Sequence, residues 1–191
     1  MNESLNILRD RSTGTAQFRN TAGKLCSILM RKQKLLLRKR RVSSEHITVV
    51  IILRAAVAFL AAATREFPDA SVGVLGLKRN ERTLAPRWYY ENLPHLSKKS
   101  VVIILDPMLA TGGSAEAAIK RLIKRGADAQ RIYFVGIIGA SVGLSRLARH
   151  IPQENITLAA LDKKLNARGM IVPGLGDFGD RYAGYTGKAL V

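Results

Sequence analysis

The chain has 191 residues, 47% of them hydrophobic, so it is long enough for one domain with a sizeable core and too apolar to be disordered. It has no run of about 18 uncharged apolar residues, which argues against a membrane span, and its start lacks the layout of a secretory signal. The single cysteine, Cys26, excludes an internal disulfide and suits a reducing compartment, so we expect a cytoplasmic location. The net charge of +17 favours anionic partners without choosing among phosphates, nucleic acid and acidic lipid.

The N-terminal part of the chain predicts a helical segment followed by a basic stretch. Apolar residues at helical spacing predict helix over residues 5 to 34. The stretch from residue 31 to 41 reads RKQKLLLRKRR and is basic at seven of its eleven positions. Because like charges repel one another, we interpret it as a solvated surface or a flexible segment. A nucleic-acid or localisation patch is the alternative interpretation.

From residue 47 onward the pattern predicts alternating strands and helices. Apolar runs predict strands over residues 47–53, 72–77, 101–105, 132–138 and 156–161. Helices are predicted over residues 55–65, 115–125 and 142–150, and an arm or hairpin over 87–91. This order predicts an α/β fold with a doubly wound, mostly parallel sheet, flanking helices and a small arm region. Ligands bind such sheets beyond the carboxyl ends of the strands. Four polar residues follow strands at that edge: Arg54, Lys78, Arg79 and Asp106.

The loop after the strand at residues 101–105 predicts a phosphate site. It consists of Asp106, Pro107, Met108, Leu109, Ala110, Thr111, Gly112, Gly113 and Ser114. Adjacent glycines let the backbone approach a ligand, and the start of a helix favours an anion. Hydroxyl groups in the loop add donors for phosphate oxygens, whereas the carboxylate of Asp106 suits sugar hydroxyls. The loop has neither the lysine of nucleoside-triphosphate loops nor the three spaced glycines of dinucleotide sites. An ordinary capped turn is the alternative.

This loop resembles the phosphoribosyl diphosphate loop of type I phosphoribosyltransferases, and among them the chain most resembles the uracil phosphoribosyltransferases. Three other segments agree with that family. Residues 52–55, ILRA, resemble its Ile-Leu-Arg-Ala-Gly turn, and residues 79–86 resemble its arginine-bearing arm. Residues 171–180, IVPGLGDFGD, resemble its uracil-binding tail. The similarity covers roughly residues 4 to 30 and 46 to 184, and the tail distinguishes the uracil enzymes from other members.

The resemblance implies a role for each of these segments. Arg54 and Arg79 would contact the diphosphate of 5-phosphoribosyl 1-diphosphate (PRPP), and residues 106 to 114 would hold its ribose hydroxyls and 5-phosphate. Uracil would be contacted, largely through main-chain groups, by Ile171, Gly176, Asp177 and Phe178. Asp177 would also touch PRPP. The implied catalytic residues are Arg54, Arg79, Asp106 and Asp177. Mg²⁺ is expected to bind mainly through PRPP, and no protein ligand to a metal is predicted.

The implied activity is transfer of the phosphoribosyl group from PRPP to uracil, which gives UMP and diphosphate in pyrimidine salvage. The implied partners are the two substrates, GTP as an effector, and further copies of the chain in a homodimer or higher oligomer. We expect no membrane partner and no nucleic acid. Two alternatives are a PRPP- or nucleotide-binding regulator that binds RNA, motivated by the basic charge, and a catalytically degenerate paralogue.

The sequence also departs from the family. Between residues 31 and 45 it is short and basic, where the family has a longer segment with a β arm that helps to pair subunits. One hypothesis is that this stretch is degenerate or a misread frame. Ala56 replaces a glycine, and Met170 replaces a tyrosine before the tail. We divide a single domain, 1–191, into an N-terminal segment (1–45), a core (46–165) and a uracil-binding tail (166–191).

Overall fold

The computed structural model describes residues 1–42, 46–79 and 86–185. Its helices are α1 Asn2–Arg9, α2 Thr15–Lys39, α3 Val57–Glu66, α4 Gly113–Lys124, α5 Ser141–Leu147 and α6 Phe178–Ala183. Its strands are β1 Ile47–Leu53, β2 Ser71–Arg79, β3 Pro86–Asn92, β4 Val101–Leu105, β5 Met108–Leu109, β6 Ile132–Ala140, β7 Ile156–Asp162, β8 Lys164–Leu165 and β9 Ile171–Val172. Among the helices of these ranges, none combines the length and apolarity that a membrane crossing requires.

Seven strands form one mixed, mostly parallel sheet. β1 pairs in parallel with β2 and β4, and β6 pairs in parallel with β4, β5 and β7. β3 runs antiparallel to β2 at one edge, so the predicted arm begins as an edge strand of the main sheet. β8 and β9 form a separate antiparallel pair. The prediction of a doubly wound, mostly parallel α/β sheet is confirmed.

The central strands are continuous apolar runs because both faces of the sheet are covered. Alternate residues of β1 face opposite sides, so Ile51 packs with α2 and α3 while Val50 packs on the α4 side. Phe18 and Phe59 fill the first layer, and Ile119 lies in the second. With helices on both faces, the carboxyl ends of the strands are the edge at which a ligand can enter.

The N-terminal segment differs from the predicted single helix over residues 5 to 34. Asp10 accepts hydrogen bonds from the N–H and hydroxyl of Ser12, and this turn separates α1 from α2. α2 then continues through the basic stretch to Lys39. Gln33 and Leu37 are buried on its inner face, at 0% and 3% exposure. A solvated surface is therefore correct for the outer face, but irregular or flexible chain is the wrong description of residues 31–39.

Candidate active site

A cleft opens at the carboxyl edge of the sheet, where three segments of the chain meet. The turn after β1 contributes Arg54, the loop after β4 contributes Asp106, and the C-terminal tail contributes Asp177. The full lining consists of residues 52–55, Leu77, Asp106, residues 108–115, Gly169, Met170 and Asp177. Residues that are more than 120 positions apart in sequence thus share one cavity.

The phosphate loop leads into the start of α4. Gly112 is the N-cap residue with φ of +78°, in the left-handed region that favours glycine. A Cβ at this position would lie 3.1 Å from the carbonyl oxygen of Gly143, so there is also little space for a side chain. The Thr111 hydroxyl accepts from the N–H of Gly113 at 3.4 Å. The first N–H groups of α4 have no acceptor within the helix, and the end of a helix with such groups favours an anion.

Asp106 lies partly buried at the end of β4. One carboxyl oxygen accepts a hydrogen bond from the N–H of Met108 at 3.3 Å. Burial raises the pKa of Asp106 to about 7, and the Met108 bond opposes this only in part. The carboxyl group therefore titrates near neutral pH in the ligand-free cleft, where it can accept a hydrogen bond from a sugar hydroxyl once ionised.

Arg54 lies at the mouth of the cleft with its side chain 65% exposed. Its guanidinium donates to the Asp180 carboxylate at 3.1 Å and lies 5.7 Å from the centre of the Tyr185 ring. Asp177 caps α6 by accepting from the N–H of Asp180 at 2.9 Å. The tail therefore places Asp177 in the cleft lining and pairs Asp180 with Arg54.

Several predicted residues lie outside the cleft lining. Ile171 is buried in the core, and the Phe178 ring packs 5.2 Å from Phe18. Gly176 lies against Arg11, since a Cβ there would overlap that guanidinium. The carbonyl of Pro107 accepts from two N–H groups of β6. The side chains of Ile171 and Phe178 are thus core groups, and main-chain contact of the tail with uracil stays a prediction.

The arginine-bearing arm is only partly described. Arg79 is the last residue of β2 and lies opposite Pro86 in the register with β3. The Arg79 side chain and residues 80–85 lie outside the described part of the chain. The contact of Arg79 with diphosphate also stays a prediction.

The sequence reasoning did not include Gly169 and Met170 among the site residues, although both line the cleft. Met170 directly precedes the predicted uracil tail and differs from the tyrosine of the resembling family. A departure from the family next to the predicted uracil tail is the sequence feature that could have pointed to Met170 as a residue of the cleft.

Comparison with known proteins decides the family. The family model described as uracil phosphoribosyltransferase matches residues 31–184. The uracil phosphoribosyltransferase of Acholeplasma laidlawii is 40% identical over 194 aligned positions, which cover 93% of this chain and 91% of that protein. The enzyme of the same description from Aquifex aeolicus is 45% identical over 139 positions, 73% of this chain and 65% of its own length. This chain belongs to the uracil phosphoribosyltransferase family.

Solved structures agree with this assignment. The AQ2163 protein from Aquifex aeolicus superposes with a TM-score of 0.85 at 34% identity, covering 96% of this chain and 94% of that one. A hypoxanthine-guanine phosphoribosyltransferase from L. donovani has a TM-score of 0.56 at 8% identity, with coverage of 78% and 84%. The second likeness concerns the fold alone, which is that of the type I phosphoribosyltransferases.

The uracil phosphoribosyltransferase match also bears on the divergent stretch between residues 31 and 45. Resemblance is expected to fade between residues 31 and 45, and the family model has its match within residues 31–184. The alignment with the Acholeplasma laidlawii relative has 194 positions, more than the 191 residues of the whole chain. That relative therefore carries residues which this chain lacks.

Proposed function

We propose that this chain transfers the 5-phosphoribosyl group of PRPP to uracil and releases diphosphate, a reaction of uracil salvage. The observation that carries the proposal is the cleft in which the phosphate loop, Arg54, Asp106 and Asp177 meet. A bond forms between N1 of uracil and C1 of the ribose while the bond from C1 to the diphosphate oxygen breaks. The electron pair leaves with diphosphate, and the N1 proton of uracil is released.

The proposed PRPP site uses both ends of the cleft. The start of α4 and the hydroxyls of Thr111 and Ser114 hold the 5-phosphate, while Asp106 accepts from the ribose hydroxyls. Arg54 and Arg79 neutralise the leaving diphosphate, for which a guanidinium fork is well suited. Catalysis then consists mostly of positioning and of stabilising charge as it separates.

The proposed uracil site uses the tail. Main-chain groups at Ile171 and from Gly176 to Phe178 match the carbonyls and ring N–H groups of uracil, and Asp177 reaches the phosphoribosyl group. Because a buried carbonyl or N–H left without its partner is costly, such a site rejects a base with an amine at the matched position.

Mg²⁺ fits the same proposal as an ion carried by the substrate. The described residues contain no group of three or more His, Cys, Asp or Glu that could hold a metal. The acids of the cleft lining are Asp106 and Asp177, which suits an ion bound mainly by diphosphate oxygens and water. When bound, the ion would neutralise charge on the leaving group.

Three further properties belong to the proposal and rest on the family resemblance. GTP acts as an effector, the chain assembles as a homodimer or higher oligomer, and the enzyme works in the cytoplasm. The Cys26 thiol is free and buried in α2, as suits a reducing compartment. Rate measurements with and without GTP, and light scattering after gel filtration, test the first two.

The deciding experiment is an assay of PRPP with uracil, cytosine, hypoxanthine or orotate in the presence of Mg²⁺. We expect UMP from uracil and no product from the other three bases. Product from hypoxanthine but not uracil would overturn the substrate assignment. Stabilisation by PRPP without turnover of any base would instead support the degenerate paralogue, and tight, salt-sensitive RNA binding without turnover would support the regulator.

A further inference from the structure

Both backbone hydrogen-bonding groups of Gly174 in the tail, its N–H and its carbonyl, are bonded to the same ion pair. The Arg9 guanidinium donates to both oxygens of Asp162, at 2.7 and 2.8 Å, and also to the carbonyl of Gly174 at 2.9 Å. The Asp162 carboxylate accepts from the N–H of Gly174 at 2.9 Å. The pair therefore satisfies both the donor and the acceptor of one backbone residue. We call these three residues the Gly174 clamp.

The clamp joins parts of the chain that no local structure would connect. Arg9 ends α1 and Asp162 ends β7, 153 residues later, while Gly174 lies between β9 and α6. Asp162 is 8% exposed and the Arg9 side chain 24% exposed. The hydrogen bonds from Arg9 lower the pKa of Asp162, so the carboxylate is charged at neutral pH. Charge-assisted, bidentate bonds at this burial fix geometry as well as contributing energy.

The segment that the clamp holds is also packed at Leu175, whose side chain is buried in the core. Gly174 and Gly176 have φ of +59° and +82°, and glycine backbone is free to leave these values. Arg181 adds a second attachment by donating to the carbonyl of Leu175 at 2.7 Å and to that of Asp10 at 2.6 Å. The tail is therefore fastened to the N-terminal segment immediately before Asp177, which lines the cleft.

We propose that Arg9 and Asp162 are positioning residues for base recognition, which fix the tail backbone so that its N–H and carbonyl groups meet uracil. The proposal rests on the proposed function, because the tail is the segment assigned to the base. A main-chain site has no side-chain rotamers to adjust, so its selectivity depends on where the backbone is held. Misplacement by about 1 Å can cost on the order of 100-fold in rate.

The test uses two variants of the full chain and a matched control. Asp162→Asn removes the charge without changing shape, and Arg9→Lys keeps the charge but cannot bridge both carboxylate oxygens and the Gly174 carbonyl. The control is Glu91→Gln, because Glu91 also forms a bidentate pair with an arginine, Arg121, but ties β3 to α4 away from the tail. Thermal melting checks that all three variants are folded at the assay temperature.

We expect both clamp variants to raise KM for uracil about tenfold or more. KM for PRPP should stay within about twofold, and the control should change neither constant beyond that range. Equal changes in both constants, or no change in a folded clamp variant, would overturn the proposal. If Asp162→Asn does not fold, Arg9→Lys alone gives the same comparison.

Calorimetry with UMP and with ribose 5-phosphate separates this proposal from the assignment of the reaction. The two ligands share the phosphate and sugar, and they differ in the base. We expect the clamp variants to lose affinity for UMP and to keep that for ribose 5-phosphate. Parallel losses for both ligands would contradict the clamp's role even in a protein with full activity. A wild-type chain that makes no UMP would overturn the proposed function, while the two affinities still test the clamp.

Discussion

Asp106 lies partly buried at the end of β4, and desolvation of its carboxyl raises the pKa from 3.8 to about 7. Between these two values the folded chain binds more protons than the unfolded chain, so this residue makes the free energy of unfolding fall as pH rises. This loss of unfolding free energy is fully present above about pH 7, and its upper bound is on the order of 4 kcal/mol. The ribose hydroxyls of PRPP would add donors to the one that the Met108 N–H supplies to this carboxylate.

Asp106→Asn should therefore stabilise the chain and inactivate it. We expect a gain of about 1–3 kcal/mol in unfolding free energy at pH 8, shrinking towards pH 4, because the amide carries no charge to desolvate. kcat/KM for PRPP should fall about 10- to 150-fold, the range for loss of a charged hydrogen bond. Urea unfolding at pH 5 and pH 8, with steady-state kinetics, measures both effects. Asp69→Asn, at an exposed position, is the control. Lower stability of Asp106→Asn at pH 8 would contradict the argument.

The Asp180 carboxylate accepts a hydrogen bond from the Arg54 guanidinium, the group that we propose binds the diphosphate. The pair with Arg54 is exposed, at 65% and 39% of the two side chains, so its net contribution is about 1 kcal/mol or less. Because Asp180 competes with diphosphate for the same donor, Asp180→Asn should lower KM for PRPP up to about fivefold. KM for uracil, measured at saturating PRPP, serves as the internal control. A raised KM for PRPP would show that Asp180 orients Arg54 rather than competing for it.

Among the secondary-structure elements, α2 shows that the inner face of the basic stretch is part of the core. Gln33 is completely buried on its inner face, and the Nε2 atom has no hydrogen-bond partner among the described residues. The Gln33 side-chain carbonyl accepts a hydrogen bond from the Thr157 hydroxyl at 3.5 Å. Burial removes the hydrogen bonds of this amide N–H group to water, and no hydrogen bond within the described protein replaces them.

Gln33→Met should stabilise the chain by about 1 kcal/mol, because a side chain of similar length replaces the amide by apolar atoms. Thermal or urea unfolding measures the change. Lys32→Met is the matched control, since the neighbouring position is exposed and should stay within about 0.5 kcal/mol of the parent. Equal changes in stability at positions 32 and 33 would contradict the burial of Gln33 on the inner face of α2.

The same helix shows where sequence reasoning stops. β1 and β4 were predicted with their observed bounds, since strands buried on both faces are uninterrupted apolar runs. The end of α2 was not predicted because its buried positions include Gln33 and because lysines and arginines surround Leu37. β5, β8 and β9 have two residues each, too few to show any periodicity.

The candidate site was predictable where chemistry lies within one motif. The loop from Asp106 to Ser114 and Arg54 could be predicted because each follows a strand and because glycines, hydroxyls and a guanidinium suit a phosphorylated sugar. Asp177 was predicted only from the resemblance of the tail to the family. The contacts of Arg9 with Asp162 and of Arg54 with Asp180 could not, since they join residues 153 and 126 positions apart. Only the packed tertiary structure determines such pairs.

The whole molecule carries a net charge of +17, which sets its long-range electrostatic field. Such a field attracts PRPP, a polyanion, and has no corresponding effect on uracil, which is neutral. Added salt weakens the attraction because the Debye length falls from about 30 Å at 0.01 M to about 8 Å at 0.15 M. The two substrates should therefore respond differently to ionic strength.

We expect kcat/KM for PRPP to fall several-fold between about 20 and 300 mM KCl, while kcat/KM for uracil at saturating PRPP stays within about twofold. Arg54 alone could produce part of this slope, because salt also screens contacts inside the cleft. A triple variant, Arg38→Gln, Lys39→Gln and Arg41→Gln, removes three exposed charges around the end of α2, none of which lines the cleft. If the long-range field contributes, this variant has a shallower slope than the parent and equal kinetics at high salt. Identical slopes would assign the salt effect to the cleft alone.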